Sequence, residues 1–324
     1  MRPFNHLNAR SLEEATEALG LPGAVAMAGG GDLLGALKDD IARDYPRLVV
    51  NLKTIPGLDG ITAEDGMLHI GALCLLGDLS RSELVRAHAP MLADAAGKCA
   101  SPALRENTTV GGNLCQLPRC WYFRKLNNRF DCARKGGERC FALTGDNRYH
   151  SVFGPALFEG CGGKKRACIA VNQAELAPAL LALEAEVVTT RRTLPIGEFF
   201  GVGVLSSTVL EPGELVTEVR FPLPETGTKM AYKRFSFRKS IDFPVVNLAV
   251  LRTPGGECRI ALGGVAPTPR RAGKAEALLA GKTLTPELAE AAGLAAITGA
   301  KPTEANAYKL QLVKTLVKRE LLAL

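Results

Sequence analysis

Six cysteines, Cys115, Cys120, Cys132, Cys140, Cys161 and Cys168, fall in one stretch of the 324-residue chain with the spacing C-x4-C-x11-C-x7-C-x20-C-x6-C. Thiolate sulfur is a soft ligand, and four thiolates can hold either a zinc ion or an iron–sulfur cluster. The spacing helps to separate these chemistries. No C-x2-C pair occurs, which argues against a structural zinc site. Cys115-x4-Cys120 opens like a plant-type ferredoxin site but lacks the C-x2-C that should follow, which argues against 2Fe-2S. A 4Fe-4S cubane needs neither pattern when a long loop folds around it.

The charge sits in the same place. Between Cys115 and Cys168 there are eleven Arg or Lys and four Asp or Glu, a surplus of seven that equals the net charge of the whole chain. A cubane held by four thiolates is an anion, and cations lower the cost of placing it in protein. Arg119, Arg124, Lys125, Arg134, Lys135 and Arg139 are suited to that and would also lower the thiol pKa values. Zinc and unliganded thiols stay open alternatives. Trp121, Tyr122 and Phe123 could stack on nucleic-acid bases or shield a cluster from water, and the segment has no recognised RNA-binding pattern. His150 reads as a satisfied loop histidine.

Two glycine turns come next. Ala24 to Ala28 reads as a strand, followed by Gly29, Gly30 and Gly31 and a helix beginning near Asp32; the second turn is Thr109 to Asn113. A strand–turn–helix junction offers unpaired backbone N–H groups to a phosphate. Neither turn has the G-x-G-x-x-G or G-x-x-x-x-G-K-[ST] spacing. As a pair they could hold the two phosphates of a pyrophosphate between subdomains.

The elements that must position these residues follow from periodicity. Ser11 with Glu14 forms a capping box for a helix ending at Gly20, and "RLVVNLK" is a second strand, which completes a β-α-β unit near Gly57. A strand through His69 and a helical pattern from Asp78 to Ala100, expected as two helices, lead to the cysteines, which look inserted into a finished fold. After "LAPALLALEAEVVTT" the texture changes near Glu214 to alternating strands, and the chain ends in helices near Pro286, Pro302 and Leu322. Cys74, Cys99 and Cys258 sit in apolar surroundings as inert thiols. Hydrophobic residues make up 47% of the chain, enough for real cores. No apolar run approaches the roughly 20 residues of a membrane helix, the N-terminus has no signal-peptide core, and the chain reads as cytoplasmic.

"AGGGDLLGALK", "NTTVGGNLCQ" and "DFPVV" at Asp242 to Val246 together resemble the FAD-binding subunits of the xanthine dehydrogenase and molybdenum hydroxylase family, with the arrangement closest to the 4-hydroxybenzoyl-CoA reductase β subunit. The resemblance covers essentially the whole chain. It implies an α+β fold: a two-subdomain FAD-binding domain of the vanillyl-alcohol oxidase type at 1–57 and 58–208, with the insertion at about 115–168, then a C-terminal antiparallel sheet with packed helices at 209–324. It implies FAD contacts at Ala28, Gly29, Gly30, Gly31, Asp32 and Leu33, at Thr109, Gly111, Gly112 and Asn113, and at Asp242. It also implies a 4Fe-4S cluster on Cys120, Cys132, Cys140 and Cys168, the last preceding "ELAPALLAL", whereas Cys161 departs from the pattern and competes with Cys168. Cys115 is expected near the cofactors without being a ligand.

The expected role is electron transfer within a molybdenum-containing hydroxylase, dehydrogenase or reductase. The implied partners are a 2Fe-2S subunit, a large molybdopterin subunit and an external carrier, ferredoxin or NAD(P), in a dimer of heterotrimers, with no nucleic acid and no membrane. The alternatives are a stand-alone flavoprotein reductase and a zinc-stabilised nucleic-acid-binding module. No catalytic acid, base or nucleophile is expected.

Overall fold

The computed structural model describes residues 1–238 and 241–324. Its first unit is the expected β-α-β. Ser11 accepts the Glu14 amide at 3.2 Å and the Glu14 carboxylate takes the Arg10 amide at 2.7 Å, so helix Leu12–Leu19 begins at Ser11. Three parallel strands lie in the order Asn5–Asn8, Leu48–Asn51, Ala24–Met27. The first of them is largely exposed and polar, so no alternation in the sequence marks it.

The second unit is built on a five-stranded antiparallel sheet in the order Ile61–Glu64, Met67–Gly71, Val216–Pro222, Glu186–Thr189, Thr193–Pro195. Strand Val216–Pro222 therefore lies at the centre of this sheet, so the change of sheet comes after Pro222 and not at 209. Period-two alternation identifies a strand but not its partners. The helical pattern from Asp78 becomes three helices, Leu76–Arg81, Glu83–His88 and Pro90–Lys98, because Ser82 caps the second and Pro90 starts the third. Leu68, Ile70, Leu79, Met91, Leu92, Leu176 and Phe221 bury into one core between sheet and helices, each stabilising the fold by roughly 1.5–3 kcal/mol.

A four-stranded antiparallel sheet follows in the order Lys229–Phe235, Val246–Arg252, Cys258–Gly263, Arg270–Arg271. Strand Val246–Arg252 is buried on both faces. Leu248 and Val250 meet Val313 and Val317 of the terminal helix Tyr308–Ala323, while Ala249 and Leu251 join the core of the second unit. One strand thus locks the C-terminal helices to the rest of the fold.

The cysteine segment consists of short 3-10 turns at Leu126–Asn128, Ala133–Lys135 and Phe141–Leu143 and a hairpin, Ala156–Glu159 with Lys165–Cys168. Its far end is anchored by Lys309, whose fully buried ammonium donates to the carbonyls of Tyr149 and His150 at 3.1 Å each, and to that of Gly264. Among the described residues no helix is long and apolar enough to cross a membrane.

Candidate functional site

The two glycine turns meet. Asn107, just before the second turn, donates from its side chain to the Gly29 carbonyl at 2.5 Å, and a Cβ on Gly29 would lie 1.9 Å from the Asn107 carbonyl oxygen. Only glycine permits that approach. Gly30 has φ +73°, the left-handed region that glycine enters at low cost. At Gly31, by contrast, a Cβ would meet no atom within 4 Å, so its backbone faces open space.

That space is a cleft of about 470 Å³, within the usual 300–1,000 Å³ of ligand sites. Ala28, Gly29, Gly30, Gly31, Asp32, Leu33, Thr109, Gly112, Asn113 and Asp242 all line it. Gly111 does not: a Cβ there would lie 3.1 Å from the Ala72 carbonyl oxygen, so this glycine serves close packing. The expected second turn is the start of a short helix, Val110–Leu114, whose N-cap is Thr109: its buried side chain accepts the Gly112 amide at 3.1 Å. The glycine backbone and the cleft suit a pyrophosphate-bearing cofactor.

Two expected carboxylates are already engaged by protein. Asp32 pairs with Arg119 at 2.8 Å and with Arg124, and accepts the Leu117 amide at 3.0 Å. Asp242 accepts from the Arg238 backbone and guanidinium, both at 2.8 Å, which hold its carboxyl below the usual range. Both reach the cleft wall as structural clamps. The cleft also takes in residues not singled out from sequence, notably Cys115, Gln116, Leu117, Arg119 and Glu175. Glu175 is buried beside Arg234 at 2.9 Å, and burial pushes its carboxyl up to about 7 against the pull of that guanidinium. Its signal was a lone acid directly before the apolar run "LAPALL".

Cys120, Cys132, Cys140 and Cys168 line a second, mostly apolar cavity with Pro118, Tyr122, Phe123, Arg134 and Phe141 among its walls. Cys161 is exposed and is not among the residues that line it, although its sulfur lies close to Gly136. Cys115 belongs to the first cleft, where burial pushes its thiol up to about 12. Burial does the same for Cys120, while the hydrogen bond from Cys168 holds Cys140 down to about 6. His150 is buried with Nε2 3.2 Å from the Cys120 sulfur, and burial lowers it to about 4.

The cations divide into two groups. Arg119 and Arg124 turn away to Asp32, and Lys125 and Arg139 are exposed, so four of the six expected counter-charges point elsewhere. Arg134 and Lys135 are buried, and the Lys135 ammonium has no hydrogen-bond partner among the described residues. A buried unpaired ammonium is costly, and an anionic group among the neighbouring thiolates would offset that cost. Among the described residues no three His, Cys, Asp or Glu converge tightly enough for a single metal ion. The void itself is closed to about 10 Å³, so a cubane would require the cysteine-bearing turns to move apart.

The two sites share a wall one chain thick. Gln116, Leu117 and Arg119 face the cleft, whereas Pro118 and Cys120 face the four-cysteine cavity.

Residues 2–224 match the family described as the FAD binding domain in molybdopterin dehydrogenase, and residues 230–324 match the CO dehydrogenase flavoprotein C-terminal domain. The chain is 35% identical over 311 residues to the aldehyde oxidoreductase FAD-binding subunit PaoB of Escherichia coli K12, covering 93% of this chain and 92% of that one. It is 30% identical over 328 residues to the carbon monoxide dehydrogenase medium chain of Hydrogenophaga pseudoflava, covering 98% and 96%. A solved structure of carbon monoxide dehydrogenase from that organism superposes with a TM-score of 0.73 over 98% of this chain and 96% of its own. With the glycine-lined cleft, these similarities establish the chain as a member of the molybdopterin dehydrogenase FAD-binding family, whose curated relatives are oxidoreductase subunits.

Proposed function

We propose that the chain is the FAD- and 4Fe-4S-carrying electron-transfer subunit of a molybdenum-containing hydroxylase, dehydrogenase or reductase. The observation that carries this reading is the shared wall at Gln116 to Cys120, with cleft-facing and cavity-facing residues on one short stretch. FAD supplies two-electron exchange with release of single electrons, and a cluster carries single electrons. Cys120, Cys132, Cys140 and Cys168 would hold the cluster, with Arg134 and Lys135 as its buried counter-charges. Gly29 to Gly31 and Thr109 to Asn113 would cradle the pyrophosphate, Gly31 and Gly112 presenting backbone and Gly29 and Gly111 keeping the turns close. Asp32 would fix the wall between the sites through Arg119 and Arg124, while Tyr122, Phe123 and Phe141 exclude water from the cysteines.

The same reading gives the chain a 2Fe-2S subunit and a molybdopterin-containing large subunit as partners, an external carrier such as ferredoxin or NAD(P), and a dimer of heterotrimers as the assembly. Affinity to 4-hydroxybenzoyl-CoA reductase belongs to this proposal and is supported by the order of the four cysteines. The nine cysteines form no disulfide among the described residues, which fits the reducing cytoplasm.

The test is iron, zinc and FAD content per chain after purification without oxygen. About four irons and one FAD with little zinc are expected, with iron lost in Cys132→Ser and retained in Cys161→Ser. Flavin without iron would remove the cluster from the assignment, and zinc in place of iron would make the segment structural.

A further inference from the structure

Among the described residues, three carboxyls line the flavin cleft, those of Asp32, Glu175 and Asp242. Asp32 sits between two guanidiniums, and Asp242 takes the Arg238 guanidinium and amide. Glu175 differs from both. Its side chain is 2% exposed, against 21% for Asp32 and 17% for Asp242. It directly precedes helix Leu176–Ala182, yet its carboxylate makes no capping bond there. Instead Oε2 accepts from the Arg234 guanidinium at 2.9 Å and from the Tyr232 hydroxyl at 3.3 Å.

That guanidinium is shared. Arg234 also donates to the carbonyls of Lys98 and Asp242, and its Nε is buried with no partner among the described residues. Tyr232 accepts from Asn247 at 3.1 Å, and the Cys99 thiol also faces the carboxyl; burial raises both the phenol and the thiol, so both stay neutral. The other cations nearby are held elsewhere. The Lys98 ammonium lies over the Tyr232 ring at 5.7 Å, Arg105 donates to the Cys99 carbonyl at 2.9 Å, and Arg119 pairs with Asp32. Of all these groups, Glu175 is the one that burial brings close to neutral pH, at about 7. A flavin that gains two electrons and one proton carries one added negative charge, and a negative charge in a buried cleft raises the proton affinity of a carboxylate beside it.

We propose that Glu175 is the redox-linked proton site of this cleft: its carboxylate takes a proton from solvent as the flavin gains two electrons, and returns it on reoxidation. An O–H bond forms on Glu175 while the flavin takes two electrons and one proton, so the whole step consumes two electrons and two protons. The electrons come from the other redox centres of the oxidoreductase complex, or from dithionite in vitro. Arg234 is a positioning residue that holds the carboxyl at the cleft wall.

The experiment titrates the FAD-loaded, full-length chain with dithionite and mediator dyes between about pH 7 and 9, for the native protein, Glu175→Gln and Glu175→Asp. The native flavin potential should fall with pH by about two protons per electron pair and that of Glu175→Gln by about one, with Glu175→Asp restoring two over part of the range. Reduced-minus-oxidised infrared spectra of the native chain should contain a carboxylic-acid C=O band that Glu175→Gln lacks. A carboxylate with a purely structural role would move neither readout. Equal slopes in the native chain and Glu175→Gln overturn the proposal, and so does a native spectrum without the band, which decides the matter if Glu175→Gln does not load flavin. Because the proposal rests on FAD in this cleft, flavin content is measured on the same samples: a native chain that binds no flavin refutes the cofactor, whereas a loaded chain with equal slopes refutes the role of Glu175.

Discussion

Gly29 and Gly31 stand two residues apart in one turn, and the structure gives them opposite consequences on substitution. A Cβ on Gly29 would lie 1.9 Å from the Asn107 carbonyl oxygen and 2.8 Å from its carbon, both backbone atoms that cannot swing aside. Gly29→Ala must therefore separate the two glycine turns and weaken the hydrogen bond from Asn107. Overpacking of this kind costs about 2–3 kcal/mol and the lost bond about 1 kcal/mol, so the melting temperature should fall by roughly 6–12 °C. At Gly31 a Cβ meets nothing within 4 Å, and Gly31→Val should change the stability of the flavin-free chain by less than about 0.5 kcal/mol. Its side chain would instead occupy the cleft beside the backbone that faces the phosphates, lowering FAD affinity by about a hundredfold, or ~2.7 kcal/mol. The assays are flavin absorbance per protein after gel filtration and thermal unfolding of flavin-free protein. A Gly31→Val chain that keeps its flavin, or a Gly29→Ala chain that melts with the native one, would refute the reasoning.

Three further outcomes follow from the same geometry. Asp32→Asn removes the carboxylate that holds Arg119 and Arg124 and should destabilise the chain by about 1–3 kcal/mol; an unchanged urea midpoint would show that the clamp contributes nothing. Glu175, raised to about 7 by burial, binds a proton in the folded chain at pH values where the unfolded chain has released it. That stabilising contribution is complete below about pH 4.5 and is lost as pH rises through 7, amounting to about 3 kcal/mol at most. The stability of the native chain should therefore fall relative to Glu175→Gln between pH 5 and 7, and parallel pH curves would contradict it. Lys309→Met removes the buried donor shared by the carbonyls of Tyr149, His150 and Gly264 and should lower stability by about 2 kcal/mol or more in thermal unfolding; a change under about 0.5 kcal/mol would dismiss the anchor.

Much of the chemistry was legible in the chain itself, because it depends on residue types at short separation. The three glycines after Ala24 to Ala28, the Thr109 to Asn113 turn and the cluster of thiols among cations can all be read without coordinates, as can helix Leu12–Leu19 from Ser11 and Glu14. Identity and spacing suffice there, since backbone conformation, capping and ligand softness are local properties. What depends on distant partners could only come from the fold. Alternation marked Val216–Pro222 as a strand, but its hydrogen bonds to Met67–Gly71 and Glu186–Thr189 decided which sheet it joins. Composition put six cations around the thiols, yet Asp32, more than eighty residues upstream, draws Arg119 and Arg124 away, and Lys135 is buried over the Phe123 ring with no hydrogen-bond partner among the described residues. Spacing alone left Cys161 and Cys168 as rivals. The hairpin pairing Ala156 with Cys168 buries one and leaves the other at its exposed turn, because a strand end packs against the core and a hairpin tip faces solvent.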